Sequence, residues 1–112
     1  EKIHTDKYDN GNVMMEYQYY HHPENNKRIK NGWYNSYYKN GHYYEVGTYK
    51  NDKKEGEWIG HVMSGHLYRK ENYKNGVKEG KSVIYDLKGN ITDTDIYKDG
   101  KCVEMCEGYE DD

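Results

Sequence analysis

Catalysis or metal binding needs acids, bases, nucleophiles or soft ligands brought to one place, and this sequence scatters them. Ser64 and Ser82 have no fixed base at a recognisable spacing. Asp93 and Asp95 share one strand face and could hold a cation weakly, although a solvated strand face accounts for them better. His42 and His66 recur at a turn position where polar residues are ordinary, and the adjacent His21 and His22 have no further metal ligands at a fitting spacing. Cys102 and Cys106 lie four apart. On an extended strand their Cα atoms would be about 13 Å apart, too far to bridge, so a disulfide requires a bend. The even count leaves a local disulfide and two free thiols equally open. No enzyme activity, metal or cofactor is expected.

The elements that could carry such residues are constrained by composition. The chain has 112 residues, 33% hydrophobic and 33% charged, which is one domain with little aliphatic material for a two-layer core. Its aromatic stock is 15 Tyr and 2 Trp with no Phe, and this supplies the missing cohesion. Tyrosine packs its ring while its hydroxyl stays wet, which suits a half-buried sheet. Disordered chains are depleted in aromatics, so order is favoured. A net charge of -3 argues against nucleic acid and membrane surfaces as partners. No apolar run is long enough for a membrane span. A start at Glu1 suits a mature form after signal cleavage as well as a trimmed one, so cytoplasmic and secreted or periplasmic locations both stay open.

A repeat of 24 residues organises the chain: Tyr49, Tyr73 and Tyr97 keep that step, as do Gly32, Gly56, Gly80 and Gly41, Gly65, Gly89. The same phrase appears at 9–13 and 39–43 at a separation of 30, which places six extra residues before Gly32. The units are a partial first one at about 8–20, an insertion at 20–31, then 32–55, 56–79 and 80–101, with an acidic tail at 104–112 expected to fray. Each unit reads as strand, turn, strand, turn, with the two glycine columns at the turns and strands near 13–20, 33–38, 43–49, 57–62, 67–73, 81–86 and 91–97. Cys102–Met105 offers a last strand or cap. The expected fold is all-β: tandem antiparallel β-hairpins in a twisted single-layer sheet.

Tyr49-Lys50-Asn51, Lys54-Glu55-Gly56-Glu57-Trp58, Gly65-His66-Leu67 and Tyr73-Lys74-Asn75-Gly76 together resemble the MORN-type repeat, and more narrowly the bacterial variant of proteins described as YwqK-family antitoxins. The resemblance covers about residues 8–101. It departs where Asp52 replaces a turn glycine and where Tyr34 and Ser82 stand at the Trp58 position. It implies an interaction scaffold of successive hairpins, with a loose link to toxin neutralisation.

Strand alternation puts Tyr19, Tyr49, Tyr73 and Tyr97 in one column, with Val13, Tyr43, Leu67 and Ile91 expected on the same face and Tyr37, His61 and Tyr85 beside them. Tyr44 and Tyr68 then fall on the opposite face, with Tyr20 and Tyr38 nearby. The candidate partner-binding patch is Tyr34, Tyr38, Tyr44, Trp58 and Tyr68, and the insertion adds His21, His22, Lys27 and Arg28. Lys54 and Lys78, and separately Lys50, Lys74 and Lys98, form lysine columns on one edge, read as solvated turns. The function expected is a non-catalytic protein-binding module of immunity or antitoxin type. A secreted or surface adhesive module stacking on carbohydrate, and a phage anti-defence inhibitor, are the alternatives, and self-association through open sheet edges is a further expectation.

Overall fold

The computed structural model describes residues 2–106. Ten strands run in chain order: β1 (Lys2–Lys7), β2 (Val13–His21), β3 (Arg28–Tyr37), β4 (Tyr43–Lys50), β5 (Lys53–His61), β6 (Leu67–Lys74), β7 (Val77–Lys78), β8 (Gly80–Tyr85), β9 (Ile91–Lys98) and β10 (Lys101–Glu104). They form one open antiparallel sheet in which each strand pairs with its chain neighbours, β7 and β8 sharing β6. This is the twisted single-layer array of hairpins that the repeat predicts. β1 was not anticipated, and β10 takes the place of the expected last strand.

The hairpin turns lie on two edges. On the first edge, Asn51-Asp52, Asn75-Gly76 and Asp99-Gly100 each hold two successive positive φ values (50° and 72°, 51° and 89°, 52° and 85°). That geometry matches strand twist in two-residue hairpins and suits Asn, Asp and Gly. On the second edge, wider turns close at Tyr8–Asn12, Tyr38–His42, Val62–His66 and Asp86–Asn90.

The insertion belongs to the first edge. It adds one rung, His21 opposite Arg28, and a wider turn closed by the His22 amide donating to the Lys27 carbonyl at 2.8 Å.

The column Gly32, Gly56 and Gly80, expected at turns, instead lies in the strand that leaves each first-edge turn: Gly32 within β3, Gly56 within β5 and Gly80 at the start of β8, just past β7. Gly47 alone faces Gly56–Trp58, and Gln18 alone faces Asn31–Trp33, so the glycines mark bulges with φ of 119°, 75° and 88°. Only glycine adopts such values in a strand without strain.

A second bulge explains another departure. Ser36 pairs with Glu45 but Tyr37 with Tyr43, which leaves Tyr44 extra; Tyr68 is extra in the same way between Leu67 and Arg69. The extra residue reverses alternation. Tyr43 therefore stacks on Tyr37 and meets His61, on the face opposite Tyr49, whereas Tyr44 packs on Tyr38 on the Tyr49 side. The expected faces of Tyr43 and Tyr44 are thus exchanged.

A single-layer sheet still has a centre here. Trp58 is fully buried at 0% exposure, with Tyr49, Tyr34 and Tyr73 at ring-centroid distances of 5.1, 5.6 and 6.5 Å. Its indole lies on Gly47, where any Cβ would collide with the ring. Tyr17, 8% exposed, stacks on Tyr34 and extends the cluster towards β1.

Candidate functional site

The aromatic face is built from three parallel features. The first is the Trp58 cluster, whose indole Nε1 donates to the Thr48 carbonyl at 3.1 Å. Burial pushes the Tyr49 hydroxyl up to about 12, with Tyr34 and Glu45 adding to the effect, and burial likewise raises Tyr34, so both rings stay neutral.

The second is a lysine column, Lys30, Lys54 and Lys78, which roofs the tyrosines. Lys54 Nζ sits 4.4 Å from the Trp58 ring and 4.9 Å from Tyr73; Lys30 sits 5.1 Å from Tyr17 and 5.4 Å from Tyr49; Lys78 sits 4.7 Å from Tyr97. These are cation–π contacts within reach of the ring quadrupole. Lys54 and Lys78 are therefore half-buried parts of the packed face, a correction to their reading as solvated turns.

The third is a chain of alternating charge: Lys54 to Glu45 at 3.4 Å, Glu45 to Arg69 at 3.2 Å, Arg69 to Glu71 at 3.3 Å and Glu71 to Lys78 at 3.0 Å. The Arg69 guanidinium lies over Gly60, where no side chain intervenes. Burial alone would raise Glu71, but the hydrogen bond and charge of Lys78, then Arg69 and the Tyr73 hydroxyl, hold it below the usual carboxylate range. This network was missed in the sequence; its signal was Glu45 and Arg69 at equivalent repeat positions with opposite charge.

The predicted patch divides on this face. Trp58 is its foundation and is withdrawn from the contact surface, because a side chain with 0% exposure touches no partner. Tyr34 is half-buried between Tyr17, Tyr49 and Trp58. Tyr38 donates its hydroxyl to the His61 carbonyl at 2.7 Å, so it clamps one second-edge turn to the next, as Tyr8 does to the Tyr37 carbonyl at 2.6 Å. Tyr44 and Tyr68 remain open, 45% and 42% exposed, raised by the same bulge in successive units.

The insertion residues sit at the other edge, away from Tyr44 and Tyr68. His22 Nδ1 accepts the Glu24 and Asn25 amides at 3.1 and 3.4 Å, which fixes the turn. Lys27 donates its amide to Asn25 Oδ1 at 2.9 Å. His21 packs edge-on against Tyr19, and Arg28 lies 5.6 Å from that ring while donating to the Tyr17 hydroxyl at 3.2 Å.

The first-edge turns are stitched to one another. The amides of Asn51, Asn75 and Asp99 donate to the side chains of Asn31, Glu55 and Glu79 at 2.9, 3.1 and 2.9 Å, and the next amides to the carbonyls of Lys30, Lys54 and Lys78.

Among groups that could do chemistry, Ser64 Oγ lies 2.9 Å from His66 Nδ1 in an exposed turn, a contact not foreseen. No described acid orients the other ring nitrogen of His66. Among the described residues no group of three or more His, Cys, Asp or Glu is placed to hold a metal ion. A bend at Met105, φ 59°, brings the Cys102 and Cys106 Cα atoms to 6.0 Å, and the pair is disulfide-bonded. No family model, curated protein or solved structure matches this chain.

Proposed function

We propose that this chain is a non-catalytic binding module that covers a partner protein with its aromatic face, in the manner of a MORN-type immunity or antitoxin protein. The observation that carries the reading is the contrast between Tyr44 and Tyr68, which are open, and the fully buried Trp58 cluster that holds their strands. Exposed tyrosines on a rigid base present large, amphipathic contact area at low cost in side-chain entropy, which is why such rings anchor interfaces.

The test is co-purification of tagged protein from cells of its native host. A stoichiometric partner, a toxin or effector on this reading, is expected with the parent chain and is lost with Tyr44→Ala/Tyr68→Ala. Recovery of the same partner by both proteins removes the tyrosine face from the interface, and recovery of none by either removes the reading.

A further inference from the structure

Lys30 holds the same place in the lysine column as Lys54 and Lys78, yet its electrostatic surroundings differ. Lys54 answers to Glu45, four residues before Tyr49, and Lys78 answers to Glu71, two residues before Tyr73. At the corresponding positions before Tyr19 stand Met15 and Tyr17. Neither supplies a carboxylate. The Asp52 carboxylate accepts the Lys30 backbone amide at 3.0 Å instead.

Arg28, two residues away on the same face, repeats the pattern. It donates to the Tyr17 hydroxyl and lies over Tyr19. Among the described residues no carboxylate lies within ion-pair distance of Arg28 or Lys30. Two cations thus converge on one buried tyrosine, Tyr17, without the counter-ion that the next two units carry. Arg28 is exposed and Lys30 half-buried, so a ligand can reach both.

We infer that Arg28 and Lys30 form an anion-binding subsite that receives an acidic side chain of the partner protein. A guanidinium offers a carboxylate a planar pair of donors, and an adjacent ammonium adds charge where neighbouring rings limit its hydration. A partner carboxylate there plays the part that Glu45 and Glu71 play for Lys54 and Lys78. A long polyanion fits less well, because Glu24, Asp52 and Glu55 flank the site on the same edge and the whole chain carries -3. The site lies across the aromatic face from Tyr44, roughly 20 Å along the strands, a span for a folded partner.

This inference rests on the protein-binding reading and is tested separately from it. A fluorescent hexaglutamate peptide serves as probe, with anisotropy measured at low salt. Arg28→Gln/Lys30→Gln is expected to weaken binding about tenfold. Lys50→Gln/Lys74→Gln, which removes the same charge from exposed turn positions, and Tyr44→Ala/Tyr68→Ala are expected to leave it unchanged. Equal loss in the Lys50/Lys74 variant, full binding by the Arg28/Lys30 variant, or tighter binding of an oligothymidylate than of the peptide each overturns the subsite. Tryptophan emission, from Trp33 and Trp58 together, reports folding, and Arg28→Gln alone, expected to weaken binding severalfold, replaces the double variant if that one unfolds. Loss of the native partner only in the tyrosine variant, with peptide binding indifferent to Arg28 and Lys30, sinks this inference and leaves the module reading standing.

Discussion

Trp58 and Gly47 act as one unit, since the indole occupies the volume that any other residue at 47 would claim. Gly47→Ala is expected to cost about 1–3 kcal/mol by overpacking, and Trp58→Ala about 3–5 kcal/mol by cavity formation. In a denaturant double-mutant cycle the alanine at 47 should cost little once Trp58 is gone, and additive losses would refute the pairing. Two other side chains tie stability to pH. Burial lowers the pKa of His61 below its ordinary 6.5, and no side chain or carbonyl among the described residues bonds its buried Nδ1. The folded form thus binds its proton less readily than the unfolded chain, so stability is full above 6.5 and falls as pH drops through the folded value. Glu71, held below its ordinary 4.5, gives the same sign in a lower window. Denaturation midpoints measured against pH should therefore fall in two stages. His61→Asn should remove the upper stage and Glu71→Gln should weaken the lower, in which Asp86 also titrates low.

At the scale of elements, the second-edge turns are unequally fastened. Tyr8 and Asn10 tie the first of these turns to the second, and Tyr38 and Asn40 tie the second to the third, through carbonyls at 2.6 to 3.1 Å. Val62 and Ser64 stand at those positions in the third turn, where neither side chain makes the tie. Amide exchange is accordingly expected to be faster in β8 and β9 than in β3 and β4. Val62→Tyr/Ser64→Asn should narrow the gap, and unchanged protection would show that the ties contribute little. The hairpin order, the Asn-Gly and Asp-Gly turns and the column Tyr19, Tyr49, Tyr73 and Tyr97 were legible in the repeat, because turn chemistry and period act locally. The bulges were not: Gly32, Gly56 and Gly80 punctuate a sequence the same way whether they close a turn or kink a strand. One unpaired residue per unit was enough to exchange the faces of Tyr43 and Tyr44, and with them part of the candidate site. Trp58 was misjudged for a related reason, since a single-layer sheet gives no advance sign that one face will fold over a tryptophan.

Across the whole molecule, each unit touches mainly its neighbours, so stability is shared locally along the ribbon. The rings, the Lys54 ammonium and the Gly47 backbone packed on Trp58 all lie before residue 79. A fragment 1–79 is expected to keep Trp58 buried and blue-shifted, whereas 1–66, which lacks Tyr73 and β6, should lose this; emission spectra of the two in a Trp33→Phe background decide the point. The first-edge stitches also have a direction. The turn at Asn51 draws on Asn31 and Lys30, the turn at Asn75 on Glu55 and Lys54, and the turn at Asp99 on Glu79 and Lys78, so each of these three turns takes its acceptors from residues already behind it in the chain. A polypeptide leaving the ribosome amino end first therefore meets each docking template before the hairpin that needs it. These first-edge stitches thus favour assembly in the order of synthesis, one hairpin at a time.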